Sequence, residues 1–243
     1  MLSKKVVKDI QSLNLKKHRS ETGLFVAEGP KVVGELLQLI PEQFQNLYAT
    51  EAWQKVQQVW SPVPVESVSE EELQKLSQLQ TANQVLAIIK QLPTEKPVLE
   101  NEWALYLDTI QDPGNSGTII RIADWFGIKK VICSKGCADL YNSKVVQSTM
   151  ASLARVKVWY DEEDNWLSQQ WLPVLAATLG GQSLYNVDKL QAGILLIGNE
   201  SKGVRPEYIQ KATHQVTIPR IGDAESLNAA VATGIILSHL VKG

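Results

Sequence analysis

From residue 102 onward, apolar runs suited to buried strands alternate with stretches whose apolar residues recur at helical spacing. The runs Ala104–Ile110, Lys130–Cys133, Val156–Trp159, Val174–Thr178, Ile194–Gly198 and Val216–Ile218 predict strands. Ser116–Phe126, Ser143–Met150, Asp164–Trp171, Pro206–Lys211 and Ser226–Val241 predict the helices between them. Strands flanked by helices in this order build a mostly parallel sheet covered on both faces, and ligands of such sheets bind beyond the carboxyl ends of the strands. Nearer the N-terminus a shorter alternation predicts helices over Lys31–Ile40, Ala52–Trp60 and Glu70–Leu79, the last entered through Ser69. Strands are predicted there over Leu47–Thr50 and Gln84–Lys90. Between the two patterns, Gln91–Asn101 holds two prolines and mixed charges and predicts a linker. The expected organisation is two α/β domains, residues 1–95 and 102–243.

At 243 residues the chain has room for two such cores, and 44% hydrophobic with 21% charged residues describes an ordinary globular protein. No apolar run reaches the roughly 20 residues that span a bilayer, and Met1-Leu-Ser-Lys-Lys lacks the apolar core of a signal peptide. The expectation is a cytoplasmic protein without a membrane partner. Cys133 and Cys137 are spaced too widely for a redox pair, and His18, His214 and His239 are scattered, so no metal site is expected. The net charge of −2 is uneven: residues 1–20 carry six Lys/Arg (Lys4, Lys5, Lys8, Lys16, Lys17, Arg19) against Asp9, leaving −7 for the rest. Such an arm suits either phosphate contacts to nucleic acid or a solvated helix face.

Three loops follow predicted strands and carry the candidate chemistry. In Asp112-Pro-Gly-Asn-Ser-Gly-Thr-Ile-Ile-Arg121, Pro113-Gly114 makes a turn, Asn115 or Ser116 can cap the helix, and Gly117 lets something approach the first turn closely. Ile119, Ala123 and Phe126 follow core spacing, which puts Arg121 off that stripe, either facing a ligand or pairing with Asp124. In Ile197-Gly-Asn-Glu-Ser-Lys-Gly-Val204 the two glycines have P-loop spacing, but Val204 and Arg205 stand where Lys and Ser/Thr are needed, so a nucleotide-hydrolase phosphate cradle is excluded. Glu200 there can meet a ligand or cap the next helix. In Ile218-Pro-Arg-Ile-Gly-Asp-Ala-Glu-Ser-Leu-Asn228, Ser226 is a credible N-cap while Asn228 fits a first helical turn poorly. The helix beyond is apolar nearly all round and needs cover on several sides. No Gly-x-Gly-x-x-Gly and no nucleophile elbow occur.

Taken in order, Asn115-x-Gly117-x-x-x-Arg121, Gly198-Asn-Glu200-x-x-Gly203 and Ile218-Pro…Glu225-Ser-Leu-Asn228 closely resemble the three motifs of the SpoU (TrmH-like) RNA ribose 2′-O-methyltransferases of the SPOUT superfamily. The resemblance covers residues 102–243. Arg19…Gly23-Leu-Phe-Val-Ala-Glu-Gly-Pro-Lys-Val-Val is similar, more loosely, to the N-terminal substrate-binding domain that many members carry. The resemblance implies a C-terminal SPOUT α/β domain with a deep trefoil knot, although knots are close to absent among folds. It also implies a small ribosomal-protein-L30e-like α/β domain before it. S-adenosylmethionine would lie against the backbone around Thr178, Gly180, Gly198, Ile218 and Leu227. Asn115, Arg121, Glu200, Ser226 and Asn228 would form the catalytic set, and two protomers would pair through the C-terminal helix as a homodimer.

The family assigns the base role to the motif-one arginine, here Arg121. A guanidinium with a pKa above about 12 rarely gives up its proton, so Arg121 can instead bind an RNA phosphate and align the ribose. The implied substrate is structured RNA, ribosomal RNA of the large subunit ahead of transfer RNA. The rival from another class is an RNA-binding module of the same fold without activity, which has no need for Asn115, Arg121, Glu200 and Asn228 together.

Overall fold

The computed structural model describes residues 2–56 and 63–241. In chain order its elements are α1 (Lys4–Ser12), α2 (Lys16–Thr22), β1 (Leu24–Glu28), α3 (Pro30–Leu39), β2 (Phe44–Ala49), α4 (Glu51–Val56), β3 (Val65–Ser67), α5 (Glu70–Leu76), β4 (Val85–Lys90), β5 (Trp103–Asp108), α6 (Pro113–Trp125), β6 (Lys130–Ser134), α7 (Ser143–Thr149), β7 (Lys157–Asp161), β8 (Val174–Ser183), β9 (Gly193–Gly198), α8 (Pro206–Ile209), β10 (His214–Thr217) and α9 (Ala229–Leu240). The helix expected over Ala52–Trp60 begins as α4, and its second half lies outside the described residues. The chain divides into two compact units, Met1–Pro93 with Asp139–Ala154, and Thr94–Ala138 with Arg155–Gly243.

The first unit is built on a sheet ordered β1-β4-β2-β3, antiparallel except for the β2/β3 pair. One face of β4 packs Leu86 and Ile88 with Leu73 and Leu76 of α5 and with Ile10 and Leu13, and each such buried side chain contributes about 1.5–3 kcal/mol. Ser69 and Glu72 close a capping box at the start of α5. The segment Asp139–Ala154 lies with this unit, although the boundaries read from the sequence carry it on with the second. Local polar contacts account for that: Gln147 donates to the Glu28 carbonyl (2.8 Å), Leu92 N donates to the Tyr141 hydroxyl (2.8 Å), and the rings of Tyr141 and Phe25 meet at 4.8 Å. Arg19 is buried and gives its guanidinium to Asp139 and to the Leu13 and Asn14 carbonyls, so it does not belong to a solvent-facing arm. Lys4, Lys5, Lys8, Lys16 and Lys17 are exposed.

The second unit is a six-stranded parallel sheet in the order β10-β8-β9-β5-β6-β7. Its central strands β5 and β9 are buried at every position, which is why they read as unbroken apolar runs. The chain moves outward through β5, β6 and β7, then returns to the other side, where β9 fills the slot between β5 and β8. The loops after β5, β9 and β10 therefore leave the same edge of the sheet, with β8 between β10 and the adjacent pair β9 and β5. Among the described residues no helix is long and apolar enough to cross a membrane.

Three expectations need correction. Asp164–Trp171 forms only a 3-10 turn, Trp166–Gln169, because Asp164 adopts a left-handed φ of 52° and Asp161 accepts the Trp166 N–H. The cap of α6 is Asp112, whose carboxylate accepts from Asn115 N (2.8 Å), rather than Asn115 or Ser116; Pro113 takes the first helical position, where its missing N–H costs nothing. The cap of α9 is Asn228 rather than Ser226: its side chain accepts from Ala230 N and Val231 N.

Candidate active site

A cavity of about 620 Å³, well inside the range of small-molecule sites, opens among the loops after β9 and β10 and the outer half of β8. Each wall has a local cause. After β9 the chain folds back on itself through a bridge between Asn199 and Gly203, with N–H to carbonyl distances of 3.1 and 2.8 Å. A Cβ on Gly198 would lie 2.3 Å from the Gly203 carbonyl carbon, so only glycine permits this return. Asn199 anchors the loop: its amide donates to the Thr109 carbonyl (2.9 Å), and its oxygen accepts from Ser201 N and Lys202 N.

The second wall comes from an irregularity in β8. Gln215 of β10 pairs with Ala176, whereas its neighbour Val216 pairs with Gln182, so Ala177–Gly181 bow out of the ladder. Gly181 allows the rejoining, since a Cβ there would meet the Gln215 backbone at 2.5 Å. Within the bow, Thr178 lines the cavity, and its hydroxyl is buried with no hydrogen-bond partner among the described residues. The third wall is Ile218–Leu227, leading into α9.

Thr178, Gly198, Ile218 and Leu227 all line this cavity, together with Glu200 and Ser226. Gly180 does not: it is exposed on the bow. Asn115 and Asn228 stand behind Glu200 in a chain of side-chain hydrogen bonds. Asn228 Nδ2 donates to Asn115 Oδ1 (2.7 Å), and Asn115 Nδ2 donates to Glu200 Oε1 (2.6 Å). Glu200 thus contacts the first motif and does not cap α8, whose cap position is Arg205. Arg121 is exposed on α6 and makes no hydrogen bond or ion pair among the described residues; Asp124, its alternative partner, instead receives Arg155 at 2.7 Å.

Sequence reasoning missed a second polar network, anchored where the Glu200 loop ends. Asp108, fully buried at the tip of β5, accepts from Arg205 N (2.8 Å) and Arg205 Nε (2.7 Å). The same guanidinium reaches Asp164 (3.0 Å) and lies over the Tyr208 ring, 4.4 Å from its centroid. Tyr208 meets Asp164 (2.9 Å) and Tyr106 (2.8 Å), and Tyr106 donates to Asp161 (3.0 Å). Burial opposes the Asp164 carboxylate, but the Arg205 and Tyr208 hydrogen bonds outweigh it and lower its pKa. The hydrogen bond to Asp164 raises that of Arg205. Burial raises those of both tyrosines, Tyr106 the more. The available signal was an aspartate ending an otherwise apolar strand.

Residues 102–238 match the family described as SpoU rRNA Methylase family, and residues 4–87 match the MRM3-like substrate binding domain. The chain is 30% identical over 242 residues to the 23S rRNA (guanosine(2553)-2′-O)-methyltransferase RlmP of Bacillus subtilis, covering 96% of this chain and 95% of that protein. It is 35% identical over 156 residues to a 23S rRNA (uridine(2479)-2′-O)-methyltransferase of Streptomyces viridochromogenes, 60% of this chain and 54% of that one. The crystal structure of an AdoMet-bound rRNA methyltransferase from Sinorhizobium meliloti has a TM-score of 0.85 and 32% identity, covering 99% of this chain and 95% of that chain.

Proposed function

The chain belongs to the SpoU rRNA methylase family, and we propose that it methylates a ribose 2′-hydroxyl of large-subunit ribosomal RNA, at a guanosine, with S-adenosylmethionine (AdoMet) as donor. AdoMet supplies the methyl group on a sulfonium, whose departure as a neutral thioether needs no acid. The cavity fits that cofactor on its own evidence. Its volume suits a nucleoside with an amino-acid tail, and the buried Thr178 hydroxyl, without a partner among the described residues, offers one hydrogen bond. Thr178, Gly198, Ile218 and Leu227 would hold it, with Gly180 at the margin.

The observation that carries the reading is the hydrogen-bonded series Glu200, Asn115, Asn228, which joins all three motif loops at one cavity. A module that only bound RNA would have no use for it. Arg121 leaves the helix that carries Asn115 and is free to bind an RNA phosphate bidentately, which positions the ribose. Ser226 faces the cavity and orients the same ligands. Residues 1–95 serve as the RNA-binding domain, ribosomal-protein-L30e-like in fold, with Lys4, Lys5, Lys8, Lys16 and Lys17 offering phosphate contacts. Residues 102–243 are the catalytic domain, knotted in its C-terminal part. The protein works as a cytoplasmic homodimer; Trp125, Leu227 and Val231, exposed on or beside α6 and α9, suit that contact.

Mass-spectrometric mapping of ribose methylation in total RNA, with and without the gene, tests the proposal. The expected result is one 2′-O-methyl group missing from large-subunit RNA. A methyl missing from transfer RNA would change the target, and none missing from either would overturn the enzymatic reading.

A further inference from the structure

The chain's two cysteines lie outside the cavity, and the fold closes the gap that their spacing leaves. Cys133 is buried in β6 and pairs directly with Leu107 of β5. Past the strand end the chain turns back: Cys137 N donates to the Ser134 carbonyl (3.3 Å), and Gly136 takes a left-handed φ of 95° that suits glycine. The turn lays the half-buried Cys137 thiol on the Leu107 carbonyl at 3.2 Å, beside the residue with which Leu107 pairs. A hydrogen bond from the Cys133 thiol reaches Cys137 there and lowers its pKa against the opposing effect of burial, with Ile110 N–H assisting. Cys133, the donor, is held in its thiol form. Cys137 is thus the better nucleophile, with a second thiol in contact. The surroundings connect the pair to the cavity. Ser134, next to Cys133 in the chain, accepts from Thr109 N (2.9 Å) and donates to Asp108 (3.3 Å). Thr109 is β-branched yet keeps a left-handed φ of 53°, a strained conformation that only its neighbours maintain. Its carbonyl accepts the Asn199 amide at 2.9 Å and so anchors a loop of the cavity wall.

We propose that Cys133 and Cys137 form a reversible oxidation site, which hydrogen peroxide closes into a disulfide and which weakens AdoMet binding when closed; the effect on AdoMet rests on the methyltransferase reading. The Cys137 thiolate attacks one peroxide oxygen, the O–O bond breaks, and the departing hydroxide leaves as water with the thiol's proton. Cys137 is then a sulfenic acid. The Cys133 sulfur attacks the Cys137 sulfur, the S–O bond breaks, and the second hydroxide takes the Cys133 proton as water. Two thiols are oxidised and one peroxide is reduced to two waters. A covalent S–S bond is far shorter than a contact between thiols, so closure draws the Ser134–Cys137 turn inward and deprives the Leu107 carbonyl of its thiol donor. Ser134 moves with the turn, Thr109 loses the partner of its N–H, and the Asn199 anchor loosens.

The test uses the full-length protein, reduced, desalted, treated with hydrogen peroxide and then with iodoacetamide. By mass spectrometry the expected product has lost two hydrogens, takes up no alkyl group, and yields one cross-linked peptide joining Cys133 to Cys137 within a single copy. Its AdoMet affinity by calorimetry should fall about two- to tenfold below that of the reduced protein, the worth of one hydrogen bond, and dithiothreitol should restore it. Cys133→Ala cannot close the bond, so its peroxide product should be a Cys137 sulfenic acid captured by dimedone, whereas Cys137→Ala should stay unmodified under the same treatment. Alkylation of both thiols after peroxide, a sulfinic acid on Cys137 of the wild type with Cys133 still free, or a disulfide between two copies would each overturn the proposal. So would a mapped disulfide between Cys133 and Cys137 with AdoMet affinity unchanged. If the reduced protein binds no AdoMet, the functional reading itself fails, and the peptide map still decides whether the pair closes.

Discussion

Two arginines of the second unit are treated in opposite ways. Arg205 is held by Asp108 and Asp164 and covers the face of Tyr208, while Arg121, on α6, faces solvent with no partner among the described residues. Hydroxyl groups divide in the same way: those of Tyr106 and Tyr208 are joined to each other and to carboxylates, whereas that of Thr178 is buried without a partner among the described residues. A polar group whose partners come from its own fold holds the shape of the molecule. One left without them is available to a ligand, and a buried one carries a cost of about 1–3 kcal/mol until the ligand arrives. The first kind surrounds the end of the Glu200 loop, and the second kind lies along the cavity and the face of α6.

Substitutions at the two kinds of site should therefore separate stability from function. The largest effect is expected at Asp108→Ala, which strips the buried partner from Arg205: a loss of about 3–5 kcal/mol in urea unfolding, close to the cost of breaking a buried pair. A loss below about 1 kcal/mol would reduce the network to a surface-like pairing. Arg121→Lys should leave the melting temperature unchanged and RNA binding within a few fold, yet slow single-turnover methylation by about 10²-fold, because an ammonium cannot align a phosphate bidentately. Near wild-type rates would remove Arg121 from the site. Gly198→Ala forces the Gly203 return aside and should weaken AdoMet binding about tenfold or more by calorimetry, in line with overpacking costs of about 1–3 kcal/mol.

Thr178→Val keeps the shape and deletes the lone hydroxyl. The protein alone should be as stable as before or slightly more so, while AdoMet affinity falls by about 0.5–1.5 kcal/mol, one hydrogen bond's worth. The smallest effect concerns acid. Asp164 has a pKa below its ordinary 3.8, so its stabilising contribution is complete above that value and is lost as pH falls through the lowered one. Asp164→Asn should be less stable than wild type at neutral pH, with the gap closing below about pH 4, which thermal melts across pH 2–7 would measure.

Much of the second unit was legible because its signals are local. Apolar runs marked β5, β6 and β9 almost to the residue, and the three loops that line or back the cavity follow strands found in that way. The errors arose in two ways: at caps and turns such as Asp112 and Asp161 a nearby residue won the competition, and elsewhere a partner distant in sequence decides. Asp112 and Asn228 displaced better-spaced caps, and Asn228, which fits a helix interior poorly, is explained once it is seen to close α9 while reaching Asn115, 113 positions away. In the first unit β1 and β3 were not recognised as strands, since each is short and takes its place from pairing with β4 or β2. Arg19, counted with a basic arm, is neutralised by Asp139 from the middle of the chain.

By itself the sequence determined the alternation of elements, the three loops and the family to which their motifs point, because these rest on spacing within a few residues. Only the tertiary structure decided that Ala177–Gly181 bow out of the sheet and isolate the Thr178 hydroxyl. It likewise decided that Arg205 is consumed by the fold while Arg121 is not, and that three side chains from three loops align their hydrogen bonds toward Glu200. The reason is common to all of them: a hydrogen bond's partner and direction are set by what folding brings within about 3 Å, and sequence separation carries no record of that.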